Sequence, residues 1–335
     1  MIAPCSLKEN TIGGIIAKNK TLYGYLKERY AVTIVDTFWV KKNWLQYIYM
    51  KYVNKLLWIT KILVVGKISD GIVLGSNEDN YLKILDKFRF INKTSLFAMG
   101  GIVPQRVSDS KIPIEVWREL KNIYVESEKM VSELQHMGLK NVLFLKNFKN
   151  LPKYNPKGKV EKKKVLHIFY HGRICEDKGI DCIIRAIERV NSDFVRYVLH
   201  LYGEIDDNYQ LKTNENIVYE GRIDLVGSLD DYDKLHKYDI FVFASKWRAE
   251  GISGSMLDAL ALGMPILASK HNLNGEFVSE GVNGHLFDKD DDVRLAELLI
   301  QLYDNQNKII EFGNNSLKLA EKYRVENVLN GINIL

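Results

Sequence analysis

Residues 239–269, DIFVFASKWRAEGISGSMLDALALGMPILAS, restrict the fold more than any other stretch of the chain. Ile240 to Ala244 is a short apolar run without polar alternation, as a parallel strand covered on both faces requires. A loop containing Glu250 follows, and Gly251-Ile252-Ser253-Gly254-Ser255 opens a run of good helix formers, Met256 to Leu262. Gly263 and Pro265 stop that run, and Pro265 to Ala268 reads as the next strand. Strand, loop, helix, strand is the unit from which parallel α/β sheets are built.

The chemistry of this unit is expected at the start of its helix. Free N–H groups point out of a first helical turn, and the helix dipole adds about half a positive charge there. Ser253, Gly254 and Ser255 are small enough to let a phosphate approach that backbone. Glu250 stands before the turn and Asp258 eight residues later, so a helix starting near Ser253 puts Asp258 little more than one turn in. Two carboxylates at the carboxyl end of a sheet bind hydroxyls and repel a bare phosphate; a phosphate with sugars on both sides suits them. Taken alone, the stretch reads equally as an ordinary βα turn with a capping serine and two solvated acids.

Two further stretches narrow the choice. YHGRICEDKG, residues 170–179, lies between the strand-like Val165 to Tyr170 and a helix from Ile180. It puts Gly172, Arg173 and Lys178 on a βα loop, where the two cations can clamp a diphosphate. Gly13-Gly14 precedes a helix-like run near the N-terminus. With these features in order, the chain resembles a retaining glycosyltransferase of the family 4 type, with the GT-B fold. NGEFVSEGVNGHLF, residues 274–287, also fits, with an acid before a helix, then Asn-Gly and a short strand. The resemblance is close in order and spacing over residues 164–322 and holds in outline over residues 1–150.

The resemblance implies an α/β protein of two Rossmann-like domains facing each other across a cleft. Residues 1–150 would form the acceptor-side domain and 151–323 the nucleotide-sugar-binding domain, with 324–335 crossing back to the first. The implied reaction moves a hexose from a nucleotide-diphosphate sugar, such as a UDP-sugar, to a saccharide or lipid-linked acceptor with retention of configuration. Its setting would be bacterial surface polysaccharide or glycoconjugate synthesis. Arg173, Lys178 and the amides near Ser253, Gly254 and Ser255 would take up the charge of the leaving diphosphate. Glu250 would hold hydroxyls of the donor sugar and Asp258 those of the ribose, while Gly13, Gly14 and Gly172 belong to the donor-binding set. The family usually has glutamate where Asp258 stands, and aspartate is one methylene shorter. Retaining relatives are thought to work by front-side attack, the leaving phosphate accepting the acceptor's proton, so no nucleophilic carboxylate is assigned. Many relatives have a histidine near the end of the strand read at Thr94 to Met99; here the sequence is Met99-Gly100-Gly101.

Length and composition agree with this reading. A chain of 335 residues suggests two domains of about 150 each. Three cysteines, Cys5, Cys175 and Cys182, form no CxxC pair, which argues for a reducing cytoplasm over a disulfide framework. No run reaches the ~18 apolar residues of a membrane span, and the first ten residues are too polar after Cys5 for a signal peptide. Only Met1-Ile2-Ala3 precedes Pro4, so a first strand there is expected to be abbreviated, or the start of the chain to lie late. The net charge of +5 conceals an asymmetry: residues 1–160 hold 26 Lys and Arg against 13 Asp and Glu, and the remainder 21 against 29. That distribution suggests a surface or polyanion partner for the first half, an anionic membrane surface among them, which would leave the protein cytoplasmic or peripheral at the inner face. No nucleic-acid motif accompanies the charge, so no nucleic acid is expected.

Residues 39–61, WVKKNWLQYIYMKYVNKLLWITK, hold five lysines and no acid. At helical spacing, Leu45, Ile48, Tyr52, Leu56 and Ile59 form a core stripe, and Trp44, Tyr47, Lys51, Lys55 and Trp58 an interfacial one nearly opposite. The alternative is a helix packed on both sides with its lysines snorkelling. Residues 149–164, rich in lysine with two prolines, read as the linker, and Leu229 to Tyr238 as a helix. Asp288-Lys289-Asp290 opens a helix, where carboxylates favour the dipole, and the seven histidines show no metal-ligand spacing. No metal or cofactor is therefore expected beyond the nucleotide-sugar substrate. His171 reads as a spacer beside Arg173. Two rival readings stay open: a non-catalytic GT-B subunit that stabilises a partner transferase, and a GT-B epimerase or phosphorylase.

Overall fold

A computed structural model describes residues 1–6, 14–38, 55–76, 78–156, 158, 162–225, 229–248, 250–251, 253–271, 273–332 and 334. The chain divides into two compact units, Met1–Phe148 with Val328–Leu335, and Lys149–Asn327. Each is built on a six-stranded, wholly parallel sheet with helices.

In the first unit the strands are β1 (Ile2–Ala3), β2 (Val35–Asp36), β3 (Ile72–Leu74), β4 (Thr94–Phe97), β5 (Asn122–Val125) and β6 (Val142–Phe144), in the order β2-β1-β3-β4-β5-β6. The abbreviated β1 still takes an interior place, Ile2 pairing with both Val35 and Leu74. Helix Gly14–Lys27 follows β1 and sends Lys18 to Glu126, just past β5. This ion pair is buried, and the ring of Phe148 lies 5.1 Å from the ammonium.

In the second unit the strands are β7 (Leu166–His171), β8 (Tyr197–Tyr202), β9 (Ile217–Gly221), β10 (Ile240–Phe243), β11 (Ile266–Ser269) and β12 (Gly284–Phe287). Their order, β12-β11-β10-β7-β8-β9, runs outward in both directions from β7 and β10. The boundary between those two strands is the topological switch point, where crossovers diverge and leave a crevice at the carboxyl ends. All residues of β10 and β11 are buried, as their unbroken apolar runs require. Helix Ile180–Val190 buries Ile180, Ile183, Ile184 and Ile187, one helical face, against the sheet.

Gly179 sets how closely the loop after β7 meets the loop after β10. Its φ of +69° is in the left-handed region, and a Cβ there would stand 2.2 Å from the carbonyl oxygen of Ala244. No side chain can take its place without moving backbone.

Three expectations change, and part of another falls outside the described residues. Residues Leu45, Ile48, Tyr52, Trp44, Tyr47 and Lys51 lie outside the described residues, as does Gly13. The described helix there is Lys55–Ile68; Leu56, assigned to the core stripe, is 65% exposed, and Ile62 and Gly66 face inward instead. Apolar residues on every side of this segment leave its sequence without a readable phase. The helix expected to run to Tyr238 ends at Asp233, after three aspartates within four residues, poor helix formers at that density. The start of the supposed linker is core: Lys149 and Leu151 are buried, and Lys149 N donates to Tyr323 O while its own carbonyl accepts from Val325 N, each at 3.0 Å. Lysine content marked this segment as solvated, but the Lys149 ammonium has a buried partner, described below.

Gly179→Ala is expected to cost about 1–3 kcal/mol of stability or more through the forced φ and the overlap with Ala244. Gly254→Ala, where an added Cβ meets nothing within 4 Å on a helical backbone, should change stability by less than about 1 kcal/mol. Urea unfolding midpoints of the two variants check the contrast.

Candidate functional site

At the switch point, β7 delivers the loop 172–179 and β10 the loop 244–253. The first loop is fixed from below by the buried Tyr170, whose hydroxyl donates to Arg173 O at 2.7 Å. It is fixed at the side by Ile174 N to Glu204 O at 2.8 Å and Lys246 N to Asp177 O at 2.8 Å. A short 3₁₀ turn, Glu176–Lys178, then turns the Lys178 side chain inward.

Arg173 and Lys178 are brought together by an aromatic ring. The Arg173 guanidinium carbon lies 4.3 Å from the centroid of Trp247, and Lys178 Nζ lies 5.8 Å from the same ring and 5.7 Å from Phe243. Such contacts hold a cation in place without neutralising it. Among the described residues no carboxylate is within salt-bridge distance of the exposed Arg173, whereas the buried Lys178 donates to Glu250 Oε2. Ser245 Oγ donates to the same carboxylate oxygen at 2.6 Å. Behind it, Ser269 Oγ donates to Ser245 O at 2.7 Å, and Asn274 Nδ2 to Ser269 O at 3.0 Å. His271 Nε2 donates to Trp247 O at 2.8 Å and steadies the ring's backbone. Glu250 therefore stands on a buried polar chain, with 13% of its side chain still accessible.

The turn after Glu250 opens helix Gly254–Ala261, with Ser253 as its N-cap. Ser253 makes no side-chain capping bond; its hydroxyl meets that of Ser255 at 2.8 Å. Asp258 lies on this helix as expected, but its surroundings differ from an open carboxylate. It is fully buried, and Lys149 Nζ donates to both of its oxygens, at 2.6 and 2.8 Å. The Tyr232 hydroxyl donates to Oδ1. His171 Nδ1, 3.8 Å from Oδ2, has no hydrogen-bond partner. Burial alone would raise the Asp258 pKa; the Lys149 ammonium and His171 outweigh it and hold the carboxyl below its ordinary value. Burial and the Asp258 charge push the Tyr232 phenol well up, so it remains a donor. The two acids expected to flank one ligand thus each hold a different lysine, Glu250 with Lys178 and Asp258 with Lys149.

Of the remaining expected residues, Gly172 lies on the β7 loop beside Arg173, and Gly14 opens helix Gly14–Lys27 in the first unit. Among the described residues, no group of three or more His, Cys, Asp or Glu could hold a metal ion. The three cysteines are free and buried, and burial pushes the Cys182 thiol up to about 12. Sequence reading missed Trp247, Ser245, Lys149 and Tyr232. Trp247 and Ser245 stand within five residues of Glu250, a usable signal; Lys149 and Tyr232 are 109 and 26 residues from Asp258, and nothing local marks them.

Residues 152–319 match the family model of the glycosyl transferases group 1, half of the chain, and the chain belongs to that family. It is 26% identical over 228 residues to a poly(ribitol-phosphate) alpha-N-acetylglucosaminyltransferase of Staphylococcus aureus, covering 65% of this chain and 44% of that protein. It is 27% identical over 179 residues to the amylovoran biosynthesis glycosyltransferase AmsK of Erwinia amylovora, 49% of this chain and 41% of that one. The chain spans less than half the length of the curated relatives it matches. Among solved structures, Anabaena Alr3699/HepE in complex with UDP-glucose superimposes with a TM-score of 0.68 at 15% identity, over 96% of this chain and 94% of that one. The pneumococcal O-GlcNAc transferase GtfA in complex with UDP and GlcNAc does so at 0.61 and 13% identity, over 81% and 57%. The two parallel six-stranded sheets are those of the GT-B fold.

The sign of the Asp258 shift sets a pH dependence. A carboxyl with a depressed folded pKa contributes stability above its unfolded value, near 3.8, and loses it as pH falls through the lower folded value. Lys149→Met, which strands the carboxylate, is expected to cost about 3–5 kcal/mol at pH 7. Lys149→Met combined with Asp258→Asn should recover more than half of that and unfold less steeply with acid than wild type. Urea titrations of the three proteins at pH 7 and pH 3 measure both effects.

Proposed function

We propose that the chain is a retaining hexosyltransferase of the family 4 type. It would move a hexose from a nucleoside-diphosphate sugar to a saccharide or lipid-linked acceptor in surface polysaccharide or glycoconjugate synthesis. The observation that carries this reading is the pair of cations, Arg173 and Lys178, set side by side over Trp247 at the switch point of a parallel sheet. Family membership and the polymer-synthesis names of two relatives support it.

In this reading, the bond between the anomeric carbon and the diphosphate oxygen breaks with its electron pair going to the diphosphate. Arg173 and Lys178 meet that charge, together with the first-turn amides at Ser253, Gly254 and Ser255. The Glu250 carboxylate, oriented by Lys178 and Ser245, accepts hydrogen bonds from sugar hydroxyls and faces the positive charge that develops on the sugar ring. The acceptor oxygen bonds to the anomeric carbon on the face that the diphosphate leaves, and its proton passes to a leaving phosphate oxygen, so the mechanism needs no protein nucleophile. Protein cations supply the countercharge, and no metal is assigned.

The first test is a donor screen with UDP- and GDP-hexoses. Arg173→Ala should lower turnover by about 10²-fold or more with an unchanged fold, the scale of losing one electrostatic donor. Wild-type turnover in that variant would remove the assignment. Nucleotide binding with no transfer to any acceptor would favour the non-catalytic subunit instead.

A membrane surface is part of the same proposal. Leu56, Leu57, Val64 and Ile68 are exposed on helix Lys55–Ile68, the last two at 61% and 80%, and no acid occurs between Asp36 and Asp70. Apolar side chains among lysines suit an anionic interface, where each lysine contributes about 1 kcal/mol. No helix among the described residues is long and apolar enough to cross a membrane. Co-sedimentation with anionic vesicles at low salt is expected, with loss on neutral vesicles and on Val64→Asp with Ile68→Asp. Binding indifferent to lipid charge would sink this part.

A further inference from the structure

Resting on the reading of this site as one for a nucleoside-diphosphate sugar, we propose that His171 binds the diphosphate as an imidazolium. The ring takes a proton from solvent as the nucleotide arrives and donates from Nε2 to a phosphoryl oxygen. The residue read as a spacer is then a binding residue whose charge follows the ligand.

The first argument is a nitrogen without a partner. His171 is the last residue of β7, two before Arg173, and its ring stacks on Phe169 at 6.2 Å. Nδ1 is buried and makes no hydrogen bond, whereas 15% of the side chain stays accessible. Nδ1 is thus turned into the protein, and Nε2 is the nitrogen left to meet a ligand.

The second argument is the tautomer. Asp258 Oδ2 stands 3.8 Å from Nδ1, too far for a hydrogen bond and close enough for its charge to favour a hydrogen on that nitrogen. A neutral ring with its hydrogen on Nδ1 presents a bare lone pair at Nε2. That lone pair repels a phosphoryl oxygen, and the N–H of a doubly protonated ring attracts it, so the approach of the oxygen favours the second proton.

The third argument is charge. Arg173 and Lys178 together with Glu250 come to one net positive charge, and Lys149 is matched by Asp258. A diphosphate is negative on each phosphoryl group, so a cation at His171 meets what that balance leaves. The groups around the ring permit it. Asp258, on helix Gly254–Ala261, favours the imidazolium, and the opposing Lys149 ammonium is held on both Asp258 oxygens. Burial keeps the phenols of Tyr232, on helix Leu229–Asp233, and of Tyr202, the register neighbour on β8, protonated and neutral. Phe243, at the end of β10, carries no charge. Arg173 and Lys178, on the loop that His171 leads into, oppose a third cation until a diphosphate neutralises them, which ties the proton to the ligand.

Calorimetry of UDP and GDP with wild type and His171→Gln between pH 8 and pH 6 tests this. Glutamine keeps an amide donor but does not titrate, and the protonation of the free nucleotide is common to both proteins. For whichever nucleotide binds, wild-type affinity is expected to rise about fivefold or more relative to His171→Gln as pH falls, the mark of a proton taken up with the ligand. Equal pH dependence in the two proteins would overturn the assignment and leave the donor site standing. Binding of neither nucleotide by folded wild type would overturn the functional reading and this inference with it. Should His171→Gln not fold, wild type at pH 7 in buffers of different ionisation enthalpy reads the same step: proton uptake on binding is expected, and release or no transfer would sink the proposal.

Discussion

The second unit depends on one close approach, the backbone of Gly179 against the carbonyl of Ala244. Two loops that leave neighbouring strands in divergent directions would ordinarily stand apart at a switch point. Here the missing side chain lets them touch, and the contact puts the residue before Gly179 within reach of the acid six residues past Ala244. The Lys178–Glu250 pair follows from that geometry. So does the placing of Trp247, whose ring can then lie near cations from the facing loop.

Charge in this region is arranged in layers of increasing freedom. Deepest is Asp258 with Lys149, ion-paired and buried. Above it is Glu250 with Lys178, paired but reachable from solvent. Outermost is Arg173, held by π contact, with no carboxylate at salt-bridge distance among the described residues. A low-dielectric surrounding strengthens each interaction and penalises each unpaired charge. The cation of this series without a carboxylate partner is thus the one that solvent keeps from being costly.

Much of this architecture is written locally. The apolar runs at β7, β8 and β10 and the one-sided helix Ile180–Val190 follow from periodicity, because burial on two faces or one leaves distinct patterns. Arg173, Lys178 and Glu250 stand out in the sequence because loops at strand ends carry few competing structural roles, and the fold brings the three together. What sequence conceals is long-range electrostatics. Lys149 looks like one more lysine in a basic run until the fold supplies Asp258, and Tyr232 looks like helix surface until its hydroxyl finds the same partner. Helix Lys55–Ile68 fails for another reason: with apolar residues all around, periodicity carries no phase.

The parallel pairing of Lys149 with Arg324 places the point where the chain enters the second unit beside the point where it is about to leave, after Asn327. A folded body whose entry and exit are adjacent can be cut out or inserted as a cassette with little disturbance to its host, because a short gap is all that the flanking chain must span. Adjacent ends are therefore built into the connectivity of this half, and its sheet, turn and buried lysine lie on one continuous stretch of chain.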